Sequence, residues 1–172
     1  MTTISRGTQA TTQARITPML WFDAQAEEAA NFYVGVFPNS RVTKIARNGE
    51  AGAGPKGTVL VASFELDGQP FTALNGGPRF KFTEAISLVV NCADQAEVDR
   101  YWDALQQGGG RPKECGWLED RYGLSWQVVP TEVMDMIADG DAAKAERAMH
   151  AVWQMVKIDL DAVRRAYHGR AA

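Results

Sequence analysis

Hydrophobic and polar positions along the chain change period in a repeating order. ITPMLWF (16–22) is an apolar run of strand length. It is followed by Asp23 and a stretch in which Ala26, Ala29, Ala30, Phe32, Tyr33 and Phe37 recur at helical spacing. The pattern predicts a strand, a cap at Asp23, and a helix over roughly 25–37 that ends at Pro38-Asn39-Ser40. RVTKIAR then alternates, NGEAGAGPKG is a Gly-rich polar loop, and TVLVASFEL is a long strand rich in β-formers. Asp67-Gly68 signals a hairpin, from which QPFTALN returns. After the connector GGPRFKFT the order starts again. AISLVVNC is a strand and Asp94 a cap. The helix over roughly 95–107 presents Ala96, Val98, Tyr101, Trp102 and Leu105 and stops at Gly108-Gly109-Gly110. RPKECG leads to a closing hairpin of WLED and LSWQVV, stopped by Pro130. Beyond it the pattern is helical: a Thr131 cap, then Ala145, Met149, Val152, Trp153 and Val156, then Leu160, Val163 and Tyr167.

The repetition reaches the residues. AQAEEAANFY at 24–33 echoes DQAEVDRYWD at 94–103, with Phe32 matching Trp102. Two successive β-α-β-β-β patterns predict an α+β fold of tandem βαβββ modules at about 16–78 and 84–130. Together they form a domain over 16–130, preceded by a Thr/Gln-rich tail at 1–15 expected to be disordered. The helical extension at 131–172 is apolar enough to need a docking surface, on the second module or at a dimer interface. In LSWQVV, Leu124, Trp126 and Val128 alternate with Ser125, Gln127 and Val129, so Gln127 points away from Trp126.

Charge and composition narrow the function. The 172 residues carry a net charge of -3, against the basic face a nucleic-acid partner requires. No apolar run approaches the roughly 18 residues of a membrane span, and the first residues lack the apolar core of a secretory signal. Cys92 and Cys115 cannot build a disulfide framework and read as reduced thiols of a cytoplasmic protein.

Candidate chemistry is sparse. Cys115 has Arg111 and Lys113 nearby to favour its thiolate, with Glu114 opposing. Asp120, beside Arg121, is an acid–base candidate. No nucleophile–base pair stands at a readable spacing, and both histidines, His150 and His168, lie in the C-terminal helices. Trp21, Trp117 and Trp126 suit either core packing or an aromatic wall for a flat ligand.

The strings ITPMLWFD, EEAANFY, VFPNS, FTALNGGP, FTEAISLVVNC, CGWLEDRYGLSWQVVP and KIDLDAVRRAYHG resemble the PhnB-like family, across roughly 16–168. That family is often labelled 3-demethylubiquinone-9 3-methyltransferase. It belongs to the vicinal oxygen chelate superfamily of glyoxalases, bleomycin-resistance proteins and extradiol dioxygenases. The resemblance implies a curved sheet from each module, a cleft and a homodimer. It puts Trp21, Trp117 and Trp126 around the cleft, with Asn75, Ser87 and Gln127 as further ligand-binding candidates. It also implies where metal-using members draw their ligands: the positions of Pro18, Ala85 and Gln127, with Thr72 or Asn75 near the fourth strand. Pro and Ala side chains cannot coordinate and a neutral amide is a poor ligand, so neither a metal nor a cofactor is expected. Methyl transfer in the Rossmann manner needs a Gly-rich turn between a strand and a helix. Here Gly108-Gly109-Gly110 follows a helix, and GAGPKG lies between strands. The expected function is a homodimeric binder of a small, aromatic or apolar organic molecule. The alternative is an enzyme: a glyoxalase-like lyase or isomerase, a dioxygenase, or the nominal methyltransferase.

Overall fold

The computed structural model describes residues 14–52 and 54–170, so the expected disordered tail lies almost wholly outside the described residues. The chain forms two compact units. One comprises residues up to Leu20 with Ala26–Leu74, the other Trp21–Gln25 with Asn75 onward. The elements are β1 (Met19–Phe22), α1 (Ala26–Val36), β2 (Arg41–Arg47), β3 (Val59–Leu66), β4 (Gln69–Asn75), β5 (Ser87–Cys92), α2 (Gln95–Leu105), β6 (Arg111–Pro112), β7 (Trp117–Glu119), β8 (Ser125–Pro130), α3 (Thr131–Ile137), α4 (Ala142–Trp153) and α5 (Leu160–Tyr167). Two four-stranded sheets, β1-β4-β3-β2 and β5-β8-β7-β6, give the α+β fold and the repeated βαβββ order that the periodicity predicts.

In the first unit the β3–β4 hairpin pairs Leu66 with Gln69 across Asp67 (φ 45°) and Gly68 (φ 79°). Those left-handed angles match the strand twist, and an Asp-Gly pair reaches them at little cost. Alternate residues Ala62, Phe64 and Leu66 of β3, and Phe71 and Ala73 of β4, are buried. Helix α1 packs on β3 and buries Ala26, Ala29, Ala30 and Tyr33. Phe64 stacks with Phe71 at 5.5 Å and with Tyr33 at 6.3 Å. Two expectations change here. The helix matches its expected bounds within a residue, but Asp23 stands three positions ahead of its first residue, Ala26, too far to be the N-cap, and Phe32 lies half-buried, off the buried stripe.

In the second unit β5 runs parallel to β8, and β7 antiparallel to it. Val90, Cys92, Leu118, Trp126 and Val128 are buried, and α2 buries Val98, Tyr101, Trp102 and Leu105. Asp94 caps α2 as expected, accepting the Glu97 N–H at 2.9 Å, whereas Ala96 is exposed. Strand β8 continues through Pro130, which is also the N-cap of α3. Thr131 is therefore not the cap; its hydroxyl donates to the Cys92 carbonyl at 3.4 Å. A proline fits this joint because the first turn of a helix leaves its N–H groups unpaired.

The C-terminal helices enclose a core of Val129, Val133, Met136, Ala148, Val152, Ile158, Leu160 and Val163. Backbone N–H groups of Cys115 and Gly116 donate to the carbonyls of Met155 (2.7 Å) and Val156 (2.8 Å). The Gln95 amide donates to the Ile158 carbonyl at 3.1 Å and accepts the Leu160 N–H at 2.8 Å. Gly116 (φ 79°) has to be glycine twice over, since a Cβ there would meet Ile158 Cδ1 at 2.8 Å. The extension thus docks on the second unit. Trp153 and Val156, read from the sequence as part of its apolar face, are instead half-exposed, and Val156 lies past the end of α4.

Candidate functional site

The face of the second sheet opposite α2 carries the candidate site. Register pairs Val89 with Gln127 and Gln127 with Trp117, so these three stand side by side across β5, β8 and β7. Val89 is 50% exposed, and Ser87, Trp117 and Gln127 are half-buried. Gln127 Nε2 donates to Ser87 Oγ at 2.9 Å, fixing the amide with its carbonyl free to accept. Along β8, Gln127 lies between two buried residues, Ser125 at the Ser87 end and Val129, which is covered by the C-terminal core.

Charge lines one side. Arg111 pairs with Glu119, while Lys113 pairs with Glu84 and, at 3.2 Å, with Glu119. The hydrogen bond from Arg111 is the main reason the Glu119 carboxyl sits below the usual carboxylate range. Bonding to Glu84 pushes the Lys113 ammonium up and the Glu84 carboxyl down. Beside this network lies a cavity of about 680 Å³ lined by Glu84, Pro112, Lys113, Glu114, Trp117 and Val156.

The other candidates lie elsewhere. Trp126 is 2% exposed on the opposite face of β8, its indole N–H donating to Asp120 Oδ2 at 2.8 Å. Asp120 is itself buried and accepts the backbone N–H of Tyr122 (2.8 Å) and Leu124 (3.1 Å). With three donors on its carboxylate, it braces the β7–β8 turn. Cys115 adopts φ 59° and packs its half-buried side chain against the C-terminal core. The two cations read as its activators are engaged by Glu84 and Glu119. Trp21 donates its indole N–H to the Gly77 carbonyl at 2.8 Å and meets Phe80 edge-on at 5.0 Å, where a Cβ at Gly76 would collide with the indole. Asn75 ends β4 just before those glycines. Trp21 also lines a cavity of about 150 Å³ with Phe22, Phe80, Phe82, Arg121 and Tyr122. The structure therefore brings Ser87, Trp117 and Gln127 together, and holds Trp126 with Asp120 apart from them.

The donor set does not fit a divalent ion. Pro18 and Ala85 offer no side-chain donor, and what Gln127 leaves available is a neutral amide oxygen, a poor ligand by itself. Among the described residues no group of three or more His, Cys, Asp or Glu is arranged to bind a metal. Sequence reasoning missed Glu84, Glu119 and Val156 as neighbours of the site. The alternation of Arg111 and Lys113 opposite Glu119 was a legible cross-strand signal. Nothing local announced Val156.

Tandem βαβββ modules, each with its own four-stranded sheet, give the fold of the vicinal oxygen chelate class. Residues 14–129 match the family model described as 3-demethylubiquinone-9 3-methyltransferase, and the chain belongs to this PhnB-like family. The PhnB protein of Bacillus cereus, which carries the same methyltransferase name, is 38% identical, with 69% of this chain and 100% of that one covered and a TM-score of 0.63. A protein of Pseudomonas aeruginosa is 21% identical over 67% of this chain and 96% of its own, at a TM-score of 0.56. The fosfomycin resistance protein FosX of Mesorhizobium loti is 13% identical over 74% and 98%, at 0.53. The last two likenesses are of fold. No curated protein matches the chain. Among the described residues no helix is long and apolar enough to cross a membrane.

Proposed function

We propose that this protein is a cytoplasmic, homodimeric binder of a small organic molecule, aromatic or apolar, held in a metal-free cleft on the open face of the second sheet. The observation that carries this reading is the row Val89–Gln127–Trp117, with the Gln127 amide fixed by Ser87. An aromatic wall beside one oriented amide is the usual make-up of a small-molecule site, apolar area for affinity and a single polar group for orientation. The domain boundaries at 16–78, 84–130 and 131–172 belong to the same proposal. The family name favours a second reading, methyl transfer, for which no Gly-rich strand-to-helix turn is present among the described residues. Native mass spectrometry of the purified protein separates the two. A retained small molecule, together with tryptophan quenching by aromatic compounds that Trp117→Phe or Gln127→Ala weakens about tenfold, is expected. An equimolar metal lost on Gln127→Ala, or turnover of adenosylmethionine, would sink the binding reading.

A further inference from the structure

The cavity beside Trp117 is not built by the modules alone. Its outer side is Val156, which belongs to the extension and lies outside the family match that ends at residue 129. Val156 is held in place at its backbone. Its carbonyl accepts the Gly116 N–H, the preceding carbonyl accepts the Cys115 N–H, and both donors sit in a left-handed turn directly before Trp117. Two residues further on, Ile158 is buried, and its carbonyl is bound by Gln95. The segment 155–160 is therefore anchored at four backbone positions while the Val156 side chain stays half-exposed, facing the cavity.

We infer that Val156 is a specificity wall: together with Trp117 and Pro112 it selects a flat, uncharged or cationic ring system for the cavity. The inference rests on the small-molecule reading above. The volume of about 680 Å³, open to solvent on one side, accommodates a ligand of two or three rings lying with one face on Trp117. The sign of the ligand follows from the lining. Glu84 and Glu114 bring two carboxylates against one ammonium, Lys113, and that ammonium is already shared between Glu84 and Glu119. An anion entering here meets excess negative charge with its one cation occupied, whereas a neutral or cationic ring gains the Trp117 face.

The test is fluorescence titration of the full chain with two probes that share their rings: neutral N-phenyl-1-naphthylamine and anionic 8-anilinonaphthalene-1-sulfonate. The neutral probe is expected to bind at least tenfold more tightly. Val156→Trp, which fills the cavity from a half-exposed position that tolerates bulk, should weaken it tenfold or more. Val156→Ala, which removes only two methyl groups, should weaken it several-fold. Trp117→Ala serves as the control for the binding face. If Trp117→Ala weakens the probe but both Val156 variants bind like the parent, the wall is refuted and the small-molecule reading stands. If none of the three variants matters, both fall. Tighter binding of the sulfonate, or no binding of the neutral probe, overturns the ligand class.

Discussion

The two units assemble the same elements but fill the layer between sheet and helix differently: the first helix buries three alanines and Tyr33, the second Val98, Tyr101, Trp102 and Leu105. In the first, the sheet supplies stacked Phe64 and Phe71, and the helix answers with Ala26, Ala29 and Ala30, all fully buried. In the second, the helix supplies Tyr101, Trp102 and Leu105, and the facing sheet sets Trp126 and Leu118 among the smaller Val90, Cys92 and Val128. The repeat itself explains how. Counted from the strands, buried Leu20 corresponds to Val90, seventy positions on. The buried stripe Ala26, Ala29, Ala30, Tyr33 corresponds to Val98, Tyr101, Trp102, Leu105, seventy-two positions on. Two positions are about 200° of helix, so α2 is turned almost half a revolution relative to the register that the repeated sequence suggests. Strand register survives a tandem repeat better than helix rotation, because a one-residue strand slip inverts a face whereas a helix only needs some apolar stripe. The open faces differ too. Ser63 and Thr72 stand opposite one another in the first sheet, where the second presents Val89, Gln127 and Trp117.

This contrast can be broken most severely by removing residues 131–172. That uncovers Val129 and leaves Gln95 without its partners at Ile158 and Leu160, and the truncated chain is expected to aggregate on size-exclusion chromatography at concentrations where the full chain does not. A truncated chain that stays soluble with cooperative unfolding refutes the docking account. Next in size, Trp102→Ala should cost about 3–5 kcal/mol in urea unfolding, as for large aromatic truncations in cores. Ala30→Leu should cost about 1–3 kcal/mol by overpacking. An Ala30→Leu variant as stable as the parent would mean that the first layer is not closely packed at Ala30. The smallest effect is a pH slope confined to the second unit. Burial, the dominant cause, pushes the Cys92 thiol from its ordinary 9.0 up to about 12. The unfolded chain then ionises first as pH rises. Stability should fall between pH 9 and about 12, by up to about 1.4 kcal/mol per pH unit from this group. Cys92→Ala should remove that part of the slope in urea titrations at pH 9 and 10.5; an unchanged slope would show that the thiol does not report on folding.

Much of this fold is legible in the sequence because its signals are local. Alternation fixes β3, β4 and β8, Asp67-Gly68 fixes a hairpin, and Asp94 fixes a cap. The misassigned caps at Asp23 and Thr131 come from reading one polar residue without the turn around it. The site is legible only in part. Gln127 and Ser87 meet because β5 lies beside β8, a pairing of strands some forty residues apart that no window shows. Trp126 looks like its two fellow tryptophans in composition, yet Asp120 takes its indole N–H into the core.

Gln95 shows what such non-local economy permits. Its counterpart in the repeat, Gln25, accepts the N–H of the adjacent Ala24. Gln95 instead uses one amide to splice a passing segment to a helix, giving that segment a donor and an acceptor as a neighbouring strand would. A tail can thus be attached to a finished module without rebuilding the sheet: beside the apolar contact at Val129 it uses one glutamine in the first turn of a helix and two N–H groups in a left-handed turn. Transplanting Gln95 and Cys115–Gly116 together with residues 131–172 is therefore the minimal graft by which a shorter relative could acquire this appendage.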